Sequence, residues 1–169
     1  MLDDEELWSK LSRRDAEAFE SFYRQHCLRL RNFVKVSVGS SQAADDVAQE
    51  TFLQLWKHPN GFNPSRGTLK AYVFGIARKR AVDWWRHHPS AGEPSSAPAA
   101  LVVEESSTLL LADAIGRLDP QARSVLWLRE VEGYSYEELA EIFEIPLGTV
   151  QSRLYAARQQ LRRMWKSGK

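Results

Sequence analysis

The sequence predicts an all-α protein built as two small helical domains joined by a flexible linker. Three observations carry that expectation. Nearly every periodic segment of the 169 residues repeats its apolar positions at three- and four-residue steps. No stretch alternates apolar and polar residues as a half-buried strand does. The segment 89–107 opens Pro89-Ser-Ala-Gly-Glu-Pro-Ser-Ser-Ala-Pro, a composition that cannot bury enough surface to fold.

The elements follow in order. From Asp15 to about Val38, Phe19, Phe22, Tyr23, Leu30, Phe33 and Val34 recur at helical steps. Gly39-Ser-Ser breaks that helix, and Ser41 is the expected cap of the next, Gln42 to about Lys57. His58-Pro-Asn-Gly-Phe-Asn-Pro-Ser-Arg-Gly reads as a loop, and a long helix from Thr68 to about His87 follows it. These segments form a first domain, 1–88. The linker spans 89–107, including Glu104 and Glu105, and the second domain covers 108–169. There, helices are expected at about 108–117, 120–132, 135–143 and 147–165, punctuated by Asp119-Pro120, Gly133 and Ile145-Pro146.

Composition bounds the function. The chain is 43% hydrophobic with a mean hydropathy of −0.44, which supports real cores in a water-soluble protein. No apolar run approaches the roughly 18 residues of a membrane span, and the acidic start lacks the basic-then-apolar order of a signal peptide. A cytoplasmic location is expected. The single Cys27 cannot form an internal disulfide, and no Cys/His cluster has zinc spacing. The four histidines, His26, His58, His87 and His88, read as solvated groups at helix ends or loops. No phosphate loop, Ser/His/Asp order or catalytic carboxylate pair stands out, so neither enzymatic activity nor a cofactor or metal is expected.

The formal net charge of +1 hides a strong segregation. Residues 57–88 hold seven Lys/Arg against one acid, and residues 146–169 hold six against none. Six glutamates lie between Glu130 and Glu144, and Asp45, Asp46 and Glu50 form another acidic group. Two separate basic zones suggest two contacts with a polyanion.

The C-terminal zone is the more specific. Ser135 and Glu138 form a capping box ahead of a short helix whose Ala140 is small enough for a close crossing. A break at Glu144-Ile145-Pro146 then leads into a basic helix, the outline of a helix-turn-helix. At 100° per residue, Val150, Leu154, Ala157 and Leu161 fall within about 60° of one another and form its buried stripe. Ser152, Tyr155 and Gln159 point the other way, with Gln151 and Arg158 on one flank and Arg153 on the other. Polar groups facing out between arginines suit base-edge reading flanked by phosphate contacts, and the start at Gly148-Thr149 suits a phosphate. The acidic helix before it is expected to face away from DNA.

At this point a family resemblance becomes visible. The segment from Leu128 to Arg158, containing Gly133-Tyr-Ser-Tyr-Glu-Glu-Leu-Ala-Glu-Ile-Phe and Pro146-Leu-Gly-Thr-Val-Gln-Ser-Arg-Leu, resembles region 4 of extracytoplasmic-function (ECF) sigma factors, members of the sigma-70 family. Ala44-Asp-Asp-Val-Ala-Gln-Glu-Thr-Phe-Leu-Gln-Leu-Trp resembles region 2.2, and Phe62 to Arg86 resembles regions 2.3 and 2.4. The resemblance covers roughly 15–88 and 108–165. It implies an RNA polymerase sigma subunit that directs promoter-specific transcription initiation, restrained by an anti-sigma factor.

The resemblance also implies roles. Region 2.2 is expected to bind the clamp helices of the polymerase β′ subunit. Helical projection puts Ala44, Val47, Ala48, Thr51 and Leu55 on its buried face, leaving Asp45, Asp46, Gln49, Leu53 and Trp56 outward. The loop Asn60, Phe62, Asn63, Ser65 and Arg66 is expected to take an unstacked base of the melted −10 element. Tyr72, Arg78, Lys79 and Trp85 are the expected strand contacts of the following helix, with Phe74 also off the stripe Val73, Ile76, Ala77 and Trp84. Region 4 is expected to read the −35 duplex through Gly148, Thr149, Gln151, Ser152, Arg153, Tyr155 and Arg158, its other surface meeting the β flap. Gln151 and Ala156 stand where many relatives carry Lys or Arg, so no consensus promoter transfers. The alternative reading is a stand-alone helix-turn-helix regulator, which leaves the first half without a role.

Overall fold

A computed structural model describes residues 3–89 and 113–167. The expected linker beyond Pro89, with Glu104 and Glu105, and the start of the helix expected at 108 lie outside the described residues.

Local chemistry sets each helix boundary. Helix α1, Asp4–Ser12, begins where the Asp3 carboxylate accepts the Glu6 N–H at 2.7 Å, and its first turn holds Asp4, Glu5 and Glu6, the sign a helix N-terminus favours. This element was not foreseen from sequence. Helix α2, Ala16–Val38, starts at Asp15, which accepts from the Ala18 N–H, and stops at Gly39, whose φ of 76° is a left-handed conformation that only glycine adopts at little cost. Helix α3, Ser41–Lys57, is capped by Ser40 rather than the expected Ser41, its hydroxyl accepting the Ala43 N–H at 3.3 Å. The shift arises because either serine of the pair suits the role and the helix begins one residue earlier than expected. Two 3₁₀ turns, Pro59–Gly61 and Pro64–Arg66, form the loop, and Thr68 caps helix α4, Leu69–His87.

The second half starts with helical residues 113–116 and helix α5, Pro120–Leu126, whose first N–H groups are accepted by Asp119. The expected helix 120–132 is not uniform: it widens into a π-helical turn at Trp127–Val131 before Gly133 ends it at φ 75°. Helix α6, Tyr136–Phe143, carries both bonds of the Ser135/Glu138 capping box. The turn into helix α7, Leu147–Ser167, passes through Glu144 in the left-handed region at φ 54°, a strained place for a residue with a Cβ.

All described elements are helical, and α2 is their axis. Its end, Asn32–Val38, is buried all round because α3, α4 and α5 pack on different sides of it. Leu30, Phe33, Leu55, Leu69 and Phe74 are fully buried there, each such side chain contributing about 1.5–3 kcal/mol of apolar burial. The projected inner face of α3 is buried throughout, as are Val150, Leu154 and Ala157 of α7. Two expectations for α4 and α2 are corrected. Phe74 is fully buried, its ring against Phe33 and Tyr134, whereas Trp84 is partly exposed. His26 is 7% exposed rather than solvated, because α2 continues past it and its ring packs on Phe22.

The two halves share a seam. Arg29 and Lys70 of the first half converge on the Glu132 carboxylate at 2.9 and 3.6 Å, and Lys70 lies over the Tyr134 ring. Ser37 and Ser124 pair through their hydroxyls at 3.1 Å, beside the buried Arg123 guanidinium, which reaches the Val36 carbonyl. Helix α6 lies along α4, so close at Gly75 that a Cβ there would stand 3.8 Å from the Ile142 carbonyl oxygen.

Candidate nucleic-acid interface

The cations expected to meet the melted strand gather on one face of α4 and its preceding loop. Lys79 pairs with Glu144 at 2.6 Å, Arg66 with Glu141 at 3.7 Å, and the Arg78 guanidinium donates to the Ile142 carbonyl at 3.0 Å. Arg78 also stacks over the Phe143 ring, and this burial lowers its pKa. The Lys79 ammonium holds the Glu144 carboxyl below its ordinary range. In this arrangement the acidic helix α6 therefore lies against the cations of α4 that are expected to meet the strand.

Beside these cations is a cleft of about 540 Å³. Phe62, Asn63, Arg66, Tyr72 and Lys79 line it from the first half, and Glu141, Ile142 and Glu144 wall it from the second. Within the loop the candidates differ. Asn60, Ser65 and Arg66 are exposed. Asn63 is exposed too, but its side-chain oxygen already accepts the N–H and hydroxyl of Ser65 at 3.0 and 2.8 Å, so it shapes the turn. Phe62 is only 5% exposed, its ring wedged between Trp8 and Tyr72, and offers no open face to a base. Trp85 donates its indole N–H to the Ser37 carbonyl and meets Trp84 edge-on, which pins the end of α4 to the end of α2.

On α7, Gln151, Ser152 and Tyr155 form the outward row, Tyr155 being 66% exposed. Gly148 is open, with nothing near the position of a Cβ, and Thr149 and Arg153 are half-buried beside it. The Ser152 hydroxyl rests on the Thr149 carbonyl at 3.0 Å. Arg158 bonds Glu130 at 2.8 Å and the Tyr136 hydroxyl at 3.3 Å, which raises its pKa and fixes its fork along the domain.

The outer face of α3 carries Asp46, Gln49 and Leu53 exposed, Leu53 at 43%. Asp45 is bonded by Arg31, which lowers its pKa. Trp56 is half-buried with its ring 4.9 Å from Phe19, and Phe19 stacks on Tyr23. The apolar part of this face thus extends onto α2, a continuation that projecting α3 alone could not find. Trp8 is a second omission; with Leu7 and Leu11 the only other apolar residues of α1, the stretch carries too few apolar positions for a periodic signal. Cys27 is half-buried, 4.0 Å from the Arg24 carbonyl oxygen.

Comparison with known proteins accords with this geometry. Residues 22–89 match the family described as sigma-70 region 2, and residues 108–161 match sigma-70 region 4. The ECF RNA polymerase sigma factor RpoE of Cereibacter sphaeroides is 31% identical over 158 residues, covering 88% of this chain and 87% of the relative. ECF sigma factor SigL of Mycobacterium tuberculosis is 29% identical over 157 residues, covering 88% and 89%. Among solved structures, CnrH in complex with the cytosolic domain of CnrY superposes with a TM-score of 0.75 at 23% identity, covering 98% of this chain and 99% of that one. RpoE of Bartonella quintana, in complex with the anti-sigma factor NepR, gives 0.74 at 23% identity, over 89% and 98%. These two share the fold. With two consecutive family regions and a relative above 30% identity along most of its length, the chain belongs to the ECF sigma factors of the sigma-70 family.

Proposed function

We propose that this sigma factor divides promoter recognition between two faces that become useful together only on core polymerase. The exposed part of α3, Asp46, Gln49, Leu53 and Trp56, with Tyr23 and Phe19 beside it, docks on the β′ clamp helices. The loop 58–67 and the outer side of α4 take the melted −10 strand. The outward row of α7 reads the −35 duplex, and the opposite side of that domain meets the β flap. The polymerase supplies the chemistry, and the sigma factor works in the cytoplasm, where that polymerase is. Among the described residues, no helix is long and apolar enough to cross a membrane.

One observation carries this reading: Arg66, Arg78 and Lys79 converge beside a cleft, and all three are held by Glu141, Glu144 and the Ile142 carbonyl of the second half. A strand face already occupied by its own chain explains why the free protein needs a partner to open it. An anti-sigma factor that favours this closed arrangement would act as a restraint by population shift. The stand-alone regulator has no use for the first half, which matches sigma-70 region 2.

The test is reconstitution with bacterial core polymerase. Co-elution and run-off transcription from a library of randomised promoters compare wild type, Trp56→Ala and Arg153→Ala. Core-dependent initiation from a shared two-element motif is expected. Trp56→Ala weakens core binding, and Arg153→Ala relaxes selection of the upstream element alone. Duplex binding with no core binding rejects the reading.

A further inference from the structure

The structure assigns to Trp8 of α1 the positioning of the loop that meets the downstream element, an inference that rests on the reading of that loop given above. Trp8 lies ahead of the segment that matches sigma-70 region 2, residues 22–89, yet it reaches across 51 positions of sequence to the loop. Its indole N–H donates to the Pro59 carbonyl at 3.0 Å, at the first turn of the loop. Its ring meets the edge of Phe62 at a centroid distance of 6.4 Å, and Phe62 in turn lies 5.6 Å from Tyr72 of α4. The Tyr72 hydroxyl sits where a Cβ on Gly61 would collide, so Tyr72 packs directly against the turn between Pro59 and Phe62.

The two parts of the loop are held differently. Residues 63–66 tie themselves together through the Asn63 side chain and the Arg66 N–H to the Asn63 carbonyl. Residues 59–62 are tied by the Gly61 N–H to the His58 carbonyl at 3.2 Å and are packed by α3 on one side and by Trp8 of α1 and the buried Phe62 on the other. Gly61 gives this turn conformational freedom that its packing must remove. The far end is held from the same helix, since α1 packs on both short turns. Helix α1 therefore brackets the loop at both ends, and the register of Asn60, Asn63 and Arg66 against a base follows from it.

Trp8→Phe keeps a ring against Phe62 and removes the N–H; Trp8→Ala removes both. Each variant is assembled with core polymerase and given pairs of promoters that differ at a single base of the downstream element, with pairs differing in the upstream element as the control. Loss of one hydrogen bond that orients the loop is expected to cut downstream-base discrimination by about five-fold in Trp8→Phe, with a greater loss in Trp8→Ala. Upstream discrimination, core affinity and the thermal midpoint of Trp8→Phe stay near wild type. A merely structural tryptophan would lower the midpoint and affect both elements alike, and that result overturns the proposal. So does unchanged downstream discrimination in Trp8→Phe. If wild-type holoenzyme itself shows no downstream discrimination, the reading of the loop fails first, and the proposal with it.

Discussion

His26 shows how a single residue changes meaning with its surroundings. As a residue beside Cys27 on an amphipathic helix it reads as solvated; in the fold it is 7% exposed, and burial, then Lys70 and Arg29, push its pKa down to about 4. Its Nδ1 has no hydrogen-bond partner among the described residues. The folded chain thus holds His26 neutral, whereas the unfolded chain protonates it below the ordinary value of 6.5. Between 6.5 and about 4 the unfolded state binds the extra proton, so stability falls as the pH is lowered through that window. Urea midpoints at pH 7 and pH 5 are expected to fall less for His26→Gln than for wild type; equal falls would remove His26 as a cause. Site residues show the same pattern. The sequence supplied the types, cations and aromatics in one stretch, but Phe62 and Arg158 each turn out to have a partner within the chain, and partners from distant segments leave no local trace.

Elements were far more legible than contacts, because caps and periodicity are local. The inner face of α3 and the stripe of α7 follow from 100° steps alone, and the α6 capping box from two residues three apart. Ser135→Ala removes one of the two bonds of that box and is expected to cost about 1 kcal/mol, measured by urea unfolding. A loss below the error of the measurement would mean that packing of Leu139 and Phe143 alone sets where α6 begins. Helix α1 was missed because its nine residues offer only Leu7, Trp8 and Leu11 as apolar positions, too few for a periodic signal. The π-helical turn at Trp127–Val131 has no signature in composition: Trp127 and Leu128 are buried, and so are Val125 and Leu126 of the regular helix before them. The left-handed Glu144 was equally hidden, because the turn between α6 and α7 would ordinarily take a glycine or asparagine there.

At the scale of the molecule, the basic face of α4 and the acidic helix α6 were both visible as charge blocks, yet nothing local says that they meet. If the basic face of α4 takes the strand as proposed, their meeting predicts that affinity for single-stranded DNA depends on the seam. The exposed pairs Lys79–Glu144 and Arg66–Glu141 are worth little, about 0–1 kcal/mol each in water. Apolar packing of α6 on α4 supplies more, with Gly75 facing Ile142 where the two helices meet. A methyl fits at Gly75, standing 3.8–3.9 Å from Ile142, so Gly75→Ala is expected to keep the seam and to raise stability by about 1 kcal/mol through helix propensity. A phenyl ring does not fit, so Gly75→Phe should part the halves, enlarge the hydrodynamic radius and free Arg66, Arg78 and Lys79. Fluorescence anisotropy with a single-stranded oligonucleotide then orders the variants: Gly75→Phe binds several-fold more tightly than wild type, and Glu144→Asn, which tolerates φ 54° without the charge, gains less. Gly75→Ala stays with wild type. Added salt weakens binding in every variant, because the protein's cations release counterions condensed on the strand in each. A larger radius for Gly75→Phe without tighter binding would mean that the halves part without uncovering a strand face, and the cations of α4 would then owe their placement to the seam alone.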